Sequence, residues 1–255
     1  MKIKWHQSIQ EIPKVIWNNF QGLNLNPFYK WDWLNALEKS GSVTPKYGWQ
    51  PLFLSAWDGK NLIACAPLYL KSHSYGEFIF DNAFVELAQN MGLKYYPKLI
   101  GMSPLSPIEG YRFLFSEGVN KKEITKLLIS EIDSFAKQNR ILSCNFLYVD
   151  PQWMKIVECQ NCAKWINQQS ILTLNEVKNF SDFLGKFNSN QRRNIKRERE
   201  SLKKNGVKVE AISGSKINVI NLKKMHYFYQ LHCSRWGIWG SKYLTEKFFI
   251  ELASE

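Results

Sequence analysis

The chain has 255 residues, is 45% hydrophobic and 15% aromatic, and carries a formal net charge of +12. That length holds one large domain or two small ones with a full core, and the apolar content excludes a disordered protein. No 18-residue apolar run exists, and the N-terminal stretch MKIKWHQSIQEIPKVIWNNF is broken by Gln, Glu and Pro, so neither a membrane span nor a signal peptide is predicted. Five cysteines, only Cys159 and Cys162 closely spaced, fit a reducing, cytoplasmic setting.

In sequence order, Ile9 to Phe20 has helical spacing, with Pro13 tolerated in its first turn. After the break at Asn26-Pro27, Trp31, Trp33, Leu34 and Leu37 predict a helix that stops at Ser40-Gly41. Residues 51–57 and 62–70 read as a hairpin over Asp58-Gly59, with Pro67 forcing a bulge or an edge position. Ala83 to Met91 is a predicted helix ending at Gly92, and Lys98 to Met102 and Tyr111 to Phe115 are predicted strands. Lys121 to Gln138 is the clearest amphipathic helix, followed by a short strand over Cys144 to Val149.

The second half predicts strands at Ser170 to Leu174 and Val207 to Ile212. It also predicts a short helix capped by Ser181, a basic helix over 188–205 ending at Asn205-Gly206, a long helix from Ile217 to Trp236, and a last helix capped by Thr245. The class is therefore mixed α/β, with a seam near 150–170.

Two stretches stand out chemically. Between Leu70 and Phe78 lies a dense polar cluster that includes Lys71, His73, Tyr75 and Glu77, closed by Asp81 after Phe78-Ile79-Phe80. His73 has a reference pKa near neutrality and suits general-base work; Glu77 or Asp81 could orient an imidazole or take the proton; Lys71 or Tyr75 could donate to an oxyanion. The same cluster also reads as a plain polar hairpin loop between two core strands. The other stretch, residues 192–208, holds eight Lys/Arg against two Glu and so supplies +6, half of the net charge. Arg192, Lys196, Arg199 and Lys203 share one helical face, Arg193, Arg197 and Lys204 flank a second stripe, and Ile195 and Leu202 face inward. Such a surface suits a diphosphate or nucleic-acid backbone. The alternative is a solvated helix with local pairs such as Arg197 with Glu200.

A zinc site has little support: Cys159 and Cys162 lack a second pair, and His226 and His232 lie on opposite helical faces. The nearest approach to a pyrophosphate-cradling loop, Gln89 to Lys94, fails at its last position and sits at a helix end, so no motif supports acyl-CoA. Tyr227, Phe228, Tyr229, Trp236 and Trp239 either stack on bases or a sugar ring or, as the spacing favours, place some of their number in the core.

The runs LYLKSHSYGEFIFD and GLKYYPKL (92–99), with NPFYKWDWLNALEKSGSV (26–43), GWQP (48–51), RRNIKRERE (192–200) and YLTEKFF (243–249), resemble the FemAB-like family of N-acyltransferases, relatives of the Fem aminoacyltransferases of peptidoglycan biosynthesis. The resemblance implies a GNAT-like (acetyltransferase-like) lobe over 1–165, then the opening of a second such lobe over 166–255, with the remainder of that lobe truncated at the C-terminal end. It implies acyl or aminoacyl transfer to an amine of a phosphate-bearing cell-wall precursor, from aminoacyl-tRNA or acyl-CoA, with no certain cofactor and no metal. The comparable basic segment in Fem-type enzymes lies beside the precursor groove, which carries phosphate binding over to Arg192, Arg193, Lys196 and Arg197. The alternative from another class is a non-catalytic protein that binds RNA, tRNA included, or the anionic inner membrane surface.

Overall fold

The computed structural model describes residues 1–20, 26–237 and 240–253. The protein divides by compactness into Met1–Ala163 with Asn218–Glu255, and Lys164–Ile217. The first unit holds two four-stranded sheets, ordered β1-β3-β4-β7 and β2-β5-β6-β8. The strands are β1 (Lys2–His6), β2 (Trp49–Pro51), β3 (Phe53–Asp58), β4 (Asn61–Ala66), β5 (Tyr69–Lys71), β6 (Lys98–Gly101), β7 (Leu114–Phe115) and β8 (Cys144–Phe146). Pairing is antiparallel except between β6 and β8. The class is mixed α/β, as the alternation of elements predicts.

The expected hairpin over Asp58-Gly59 forms, but its arms serve both sheets. β3 and β4 pair in one sheet, and β2 and β5 pair in the other. The break falls at Leu52 and at Pro67-Leu68, where a single bond from Leu52 N–H to Leu68 O (2.8 Å) keeps the arms together. Pro67 has no N–H to donate, so a switch of sheets there leaves no ladder donor missing. Its carbonyl accepts from the Tyr111 hydroxyl at 3.0 Å.

Helices surround the sheets: α1 (Lys14–Asn18), α2 (Trp31–Lys39), α3 (Asn82–Asn90), α4 (Lys121–Gln138), α5 (Pro151–Val157), α8 (Val219–Ser234) and α9 (Glu246–Glu251). The second unit holds α6 (Phe180–Gly185) and α7 (Ser189–Lys204). In α4, Asn120 caps the Glu123 N–H and Leu128, Ile129 and Ile132 are buried, as the 3.6-residue spacing requires. α5 caps itself through Asp150, whose carboxylate accepts from Gln152 and Trp153 N–H, and seats Trp153 against Tyr111, Phe113 and Phe146. α9 returns to α2: Phe248 meets Trp33 edge-on at 5.2 Å and the Thr245 hydroxyl donates to Ser40 O. No helix among the described residues is long and apolar enough to cross a membrane.

Several expectations are corrected. The helix over Ile9 to Phe20 is two pieces, because Ile12 before Pro13 takes an extended conformation and Pro13 caps α1 instead of entering it. Lys2–His6 is a strand that composition does not suggest. The Tyr111 to Phe115 strand shrinks to Leu114–Phe115 plus a single bridge from Tyr111 to Val149, and the Cys144 to Val149 strand to Cys144–Phe146. α5 has no counterpart among the predicted elements. The strands expected at Ser170 to Leu174 and Val207 to Ile212 do not form: both runs are exposed and find no partner strand among the described residues, and a lone strand leaves its backbone groups unpaired. α6 is capped by Asn179 and not by Ser181, since the Asn179 side chain accepts from Asp182 N–H.

A Cβ added at Gly101 would fall 2.3 Å from the ring and hydroxyl of fully buried Tyr111, which ties both sheets together through Pro67 O. Gly101→Ala is expected to cost about 1–3 kcal/mol as overpacking, read as a lower urea midpoint with an unchanged m-value.

Candidate functional site

Sheet register builds the site. In the β2-β5-β6 sheet Trp49 stands opposite Lys71, and Lys71 opposite Lys98, so a tryptophan and two lysines form one row across three strands. All three are at most 1% exposed. Like charges directly opposite on neighbouring strands repel, and burial removes the solvent that would screen them. The polar loop after β5 supplies the compensation. Lys98 Nζ donates to Glu77 Oε2 at 2.7 Å, Asp81 Oδ2 at 2.5 Å and Ser74 Oγ at 2.8 Å. Ser74 and Tyr95 hydroxyls add bonds to Asp81 Oδ2 at 2.9 and 2.7 Å. Lys71 Nζ donates to Tyr75 O at 3.1 Å and lies 3.7 Å from the Trp49 ring centroid, a cation–π contact.

Burial pushes the Lys71 ammonium down to about 7, with the Glu77 charge opposing and the Lys98 charge assisting. Burial raises the Glu77 carboxyl against the pull of Lys98. For Asp81 burial also pushes upward, but hydrogen bonds from Lys98, Tyr95 and Ser74 outweigh it and hold the carboxyl below its ordinary value. Glu77 Oε1 and Asp81 Oδ1 are buried without a hydrogen-bond partner.

Beside this cluster is a cavity of about 330 Å3. Trp49, His73, Tyr75 and Leu105 form one part of its lining; Ser42, Lys46, Tyr47, Lys242 and Tyr243 bring in segments from far along the sequence. Gly48 is at φ +70, and a Cβ there would fall 2.3 Å from His73 Nε2. Gly76 is at φ +83, and a Cβ there would fall 2.6 Å from Leu105 and 3.3 Å from Trp49. Only glycine meets both requirements at these two positions. Leu105 itself, at φ +57, and Phe78, at φ +59, hold left-handed conformations that cost a side-chain-bearing residue about 1–3 kcal/mol.

His73 is less basic than a free imidazole, first through burial and then through the Lys71 charge, with backbone groups of His73 and Tyr47 partly restoring it. Its Nδ1 accepts from Tyr75 N–H at 3.2 Å, so the neutral ring carries its proton on Nε2. Of the five residues expected to be reactive, the structure brings His73 and Tyr75 to the cavity. Lys71, Glu77 and Asp81 are instead buried behind it. Glu77 and Asp81 are bonded to Lys98 and not to the imidazole.

The basic helix forms with its expected start and stop. Asn188 and Gln191 make a reciprocal capping box, and Gly206 follows in the left-handed conformation. None of its residues is buried. Ile195 is half-buried, but Leu202, expected to face a core, is exposed. Arg192 donates to Phe187 O at 2.5 Å, Arg193 to Asn190 Oδ1 at 3.3 Å, and Arg199 lies over the Phe180 ring. Among the described residues no ion pair forms within this helix, including that of Arg197 with Glu200, and Lys196 and Arg197 have no partner. The helix expected over Ile217 to Trp236 forms as α8 and stops at Ser234; its Tyr229 packs inward with the hydroxyl accepting from Tyr243 and Leu244 N–H, whereas Tyr227, Phe228 and, beyond the helix, Trp236 are exposed; Trp239 lies outside the described residues.

The family model FemAB_like, described as peptidoglycan biosynthesis/recognition, matches residues 8–255. The protein belongs to the FemAB-like family. Nothing among curated proteins or solved structures matches it significantly. In this FemAB-like protein, sequence reasoning missed Lys98, Lys46, Lys242 and Tyr243. A signal for Lys98 was present: it is the lone charge in a short apolar run, on the same strand face as Ile100.

Removing Lys98 strands two carboxylates in the interior. Lys98→Met is expected to cost about 3–5 kcal/mol. Without the cation, the Glu77 carboxyl rises further above its unfolded value. A raised carboxyl favours the fold at low pH and loses that contribution as pH climbs through the folded value. The deficit measured by urea unfolding should therefore be smaller at pH 5 than at pH 8.

Proposed function

We propose that this FemAB-like protein transfers an acyl or aminoacyl group to an amine of a phosphate-bearing cell-wall precursor. The observation that carries the reading is a histidine on the wall of a partly enclosed cavity, made less basic than a free imidazole by burial. An attacking amine must lose a proton as its N–C bond to the acyl carbon forms and the donor's ester or thioester bond breaks. A neutral imidazole accepts that proton without prior deprotonation. The lone pair on Nδ1 points at Tyr75 N–H over 3.2 Å, at the long end of the range, and becomes available when that bond opens.

The Tyr75 hydroxyl is exposed and serves as donor to the developing oxyanion. Lys71, Glu77 and Asp81 are framework: their burial keeps them from substrate and their bonds fix the loop that presents His73 and Tyr75. Arg192, Arg193, Lys196 and Arg197 are assigned to substrate phosphate, with Lys196 and Arg197 the freer pair. Both donor classes, aminoacyl-tRNA and acyl-CoA, bear phosphate, so the same field suits either. The exposed, unpaired cations of α7 also fit a second reading, a binder of RNA or of an anionic membrane without catalysis.

Product formation from precursor and charged tRNA or acyl-CoA, followed by mass spectrometry, separates the two. His73→Ala should lower turnover by about 10²–10⁴-fold, the usual contribution of a general base. Lys196→Ala with Arg197→Ala should raise the acceptor KM and leave kcat near its starting value. Turnover should fall on the acid side as His73 protonates, at a lower pH than for a free imidazole, since burial makes the ring less basic. Undiminished turnover in His73→Ala would remove the base role, and tRNA binding with no product would favour the binder.

A further inference from the structure

The lining of the cavity has a one-sided chemistry. It contains Lys46, Lys242 and His73 and, among the described residues, no carboxylate. Neither lysine forms an ion pair with a carboxylate among the described residues. Several other cations of this unit do pair with carboxylates, among them Lys98 with Glu77 and Asp81, Lys14 with Asp32, Lys39 with Glu251, and Arg112 with Asp150. Aromatic groups complete the lining, with Trp49 buried and Tyr47, Tyr75 and Tyr243 offering ring faces and edges. Tyr47 and Tyr75 are more than half exposed, so their rings are open to a ligand.

We infer that this cavity is a binding site for a small oxyanion, carboxylate or phosphate, carried on a flat ring or comparable apolar body. Lys46 and Lys242 come from segments far apart in the sequence and both line the cavity, so an oxyanion there has two cations to meet. The ring body displaces water from the aromatic lining, and 330 Å3 suits a ligand of about the size of a substituted ring and not a macromolecule. Trp49 connects this site to the buried cluster through the Lys71 contact. The assignment deepens the transferase reading by naming what the cavity takes. Its test reads binding alone, so its failure and the failure of acyl transfer are distinguishable.

Four ring compounds of matched size serve as probes by isothermal titration and by tryptophan fluorescence: benzoate, phenyl phosphate, benzyl alcohol and benzylamine. Benzoate and phenyl phosphate are expected to bind, at least tenfold more tightly than benzyl alcohol, with affinity falling as salt is raised; benzylamine is expected not to bind. Lys46→Gln and Lys242→Gln should each weaken phenyl phosphate about five- to tenfold, close to one charged contact at a rim position. Both substitutions are at solvent-accessible rim positions, so folding is not at issue. Leu105→Trp should block all probes, with circular dichroism confirming that the variant folds. Equal affinity for benzoate and benzyl alcohol, no binding of either anion at millimolar concentration, or an unchanged affinity in the Lys46→Gln, Lys242→Gln double variant would overturn the assignment. If phenyl phosphate binds more tightly than benzoate, the site prefers phosphate; if benzoate matches it, carboxylate is an equal ligand.

Discussion

A buried ammonium between two carboxylates determines how the candidate site is built. Lys98 is 1% exposed, and its charge is tolerable in the interior only because Glu77, Asp81 and Ser74 all turn toward it. Those three residues lie on one short loop, so satisfying the cation also fixes that loop's path. Lys71 contributes a fourth grip through Tyr75 O. His73 and Tyr75 fall between the gripped residues, and their placement at the cavity is a by-product of charge neutralisation next door. The electrostatics are balanced: two lysines face two carboxylates, and the one with the poorer partners, Lys71, is the one that burial brings close to neutrality.

The sheet switch explains why such an arrangement occurs at this point in the fold. Had the hairpin continued past Pro67 in one sheet, β5 would have extended β4, and Lys71 would not have met Lys98 on β6. By moving to the second sheet, the backbone sets Trp49, Lys71 and Lys98 in one row. Tyr111 holds that switch in place from the other side through Pro67 O, and Gly101 leaves room for its ring. The aromatic packing of Tyr111, Phe113, Phe146 and Trp153 is thus coupled to the polar cluster through two short strands.

Much of this was legible in the sequence. Residues with strong caps or uninterrupted periodicity, such as α4 and the ends of α7, form where the pattern places them. The polar loop was visible as a concentration of ionisable groups. What composition could not supply was pairing. A carboxylate beside a histidine in sequence suggests a relay, but Glu77 and Asp81 find a lysine brought alongside by strand register. Lys242 and Tyr243 reach the cavity from the opposite end of the sequence, a placement that no local pattern encodes. The expected strands around Ile171 and Val209 failed for the same reason: an apolar run states a preference for burial, and without a neighbouring edge the ladder does not form.

Two cationic surfaces of different kinds are present in this protein, and physics assigns them different tasks. The α7 lysines and arginines stand in water, where charge interactions fade over about 8 Å at physiological ionic strength. They can attract an extended polyanion, but they confer little geometric selectivity. Lys46 and Lys242 are also exposed, but they flank a cavity walled by rings, so an anion held there is partly shielded from water and a charge-assisted bond to it gains strength and direction. The exposed helix and the partly enclosed cavity therefore differ in what they can select: the first responds to charge alone, the second also to shape. The site's glycines, its left-handed Leu105 and its buried ion pairs all stiffen the second of these, which is where selectivity has to be held.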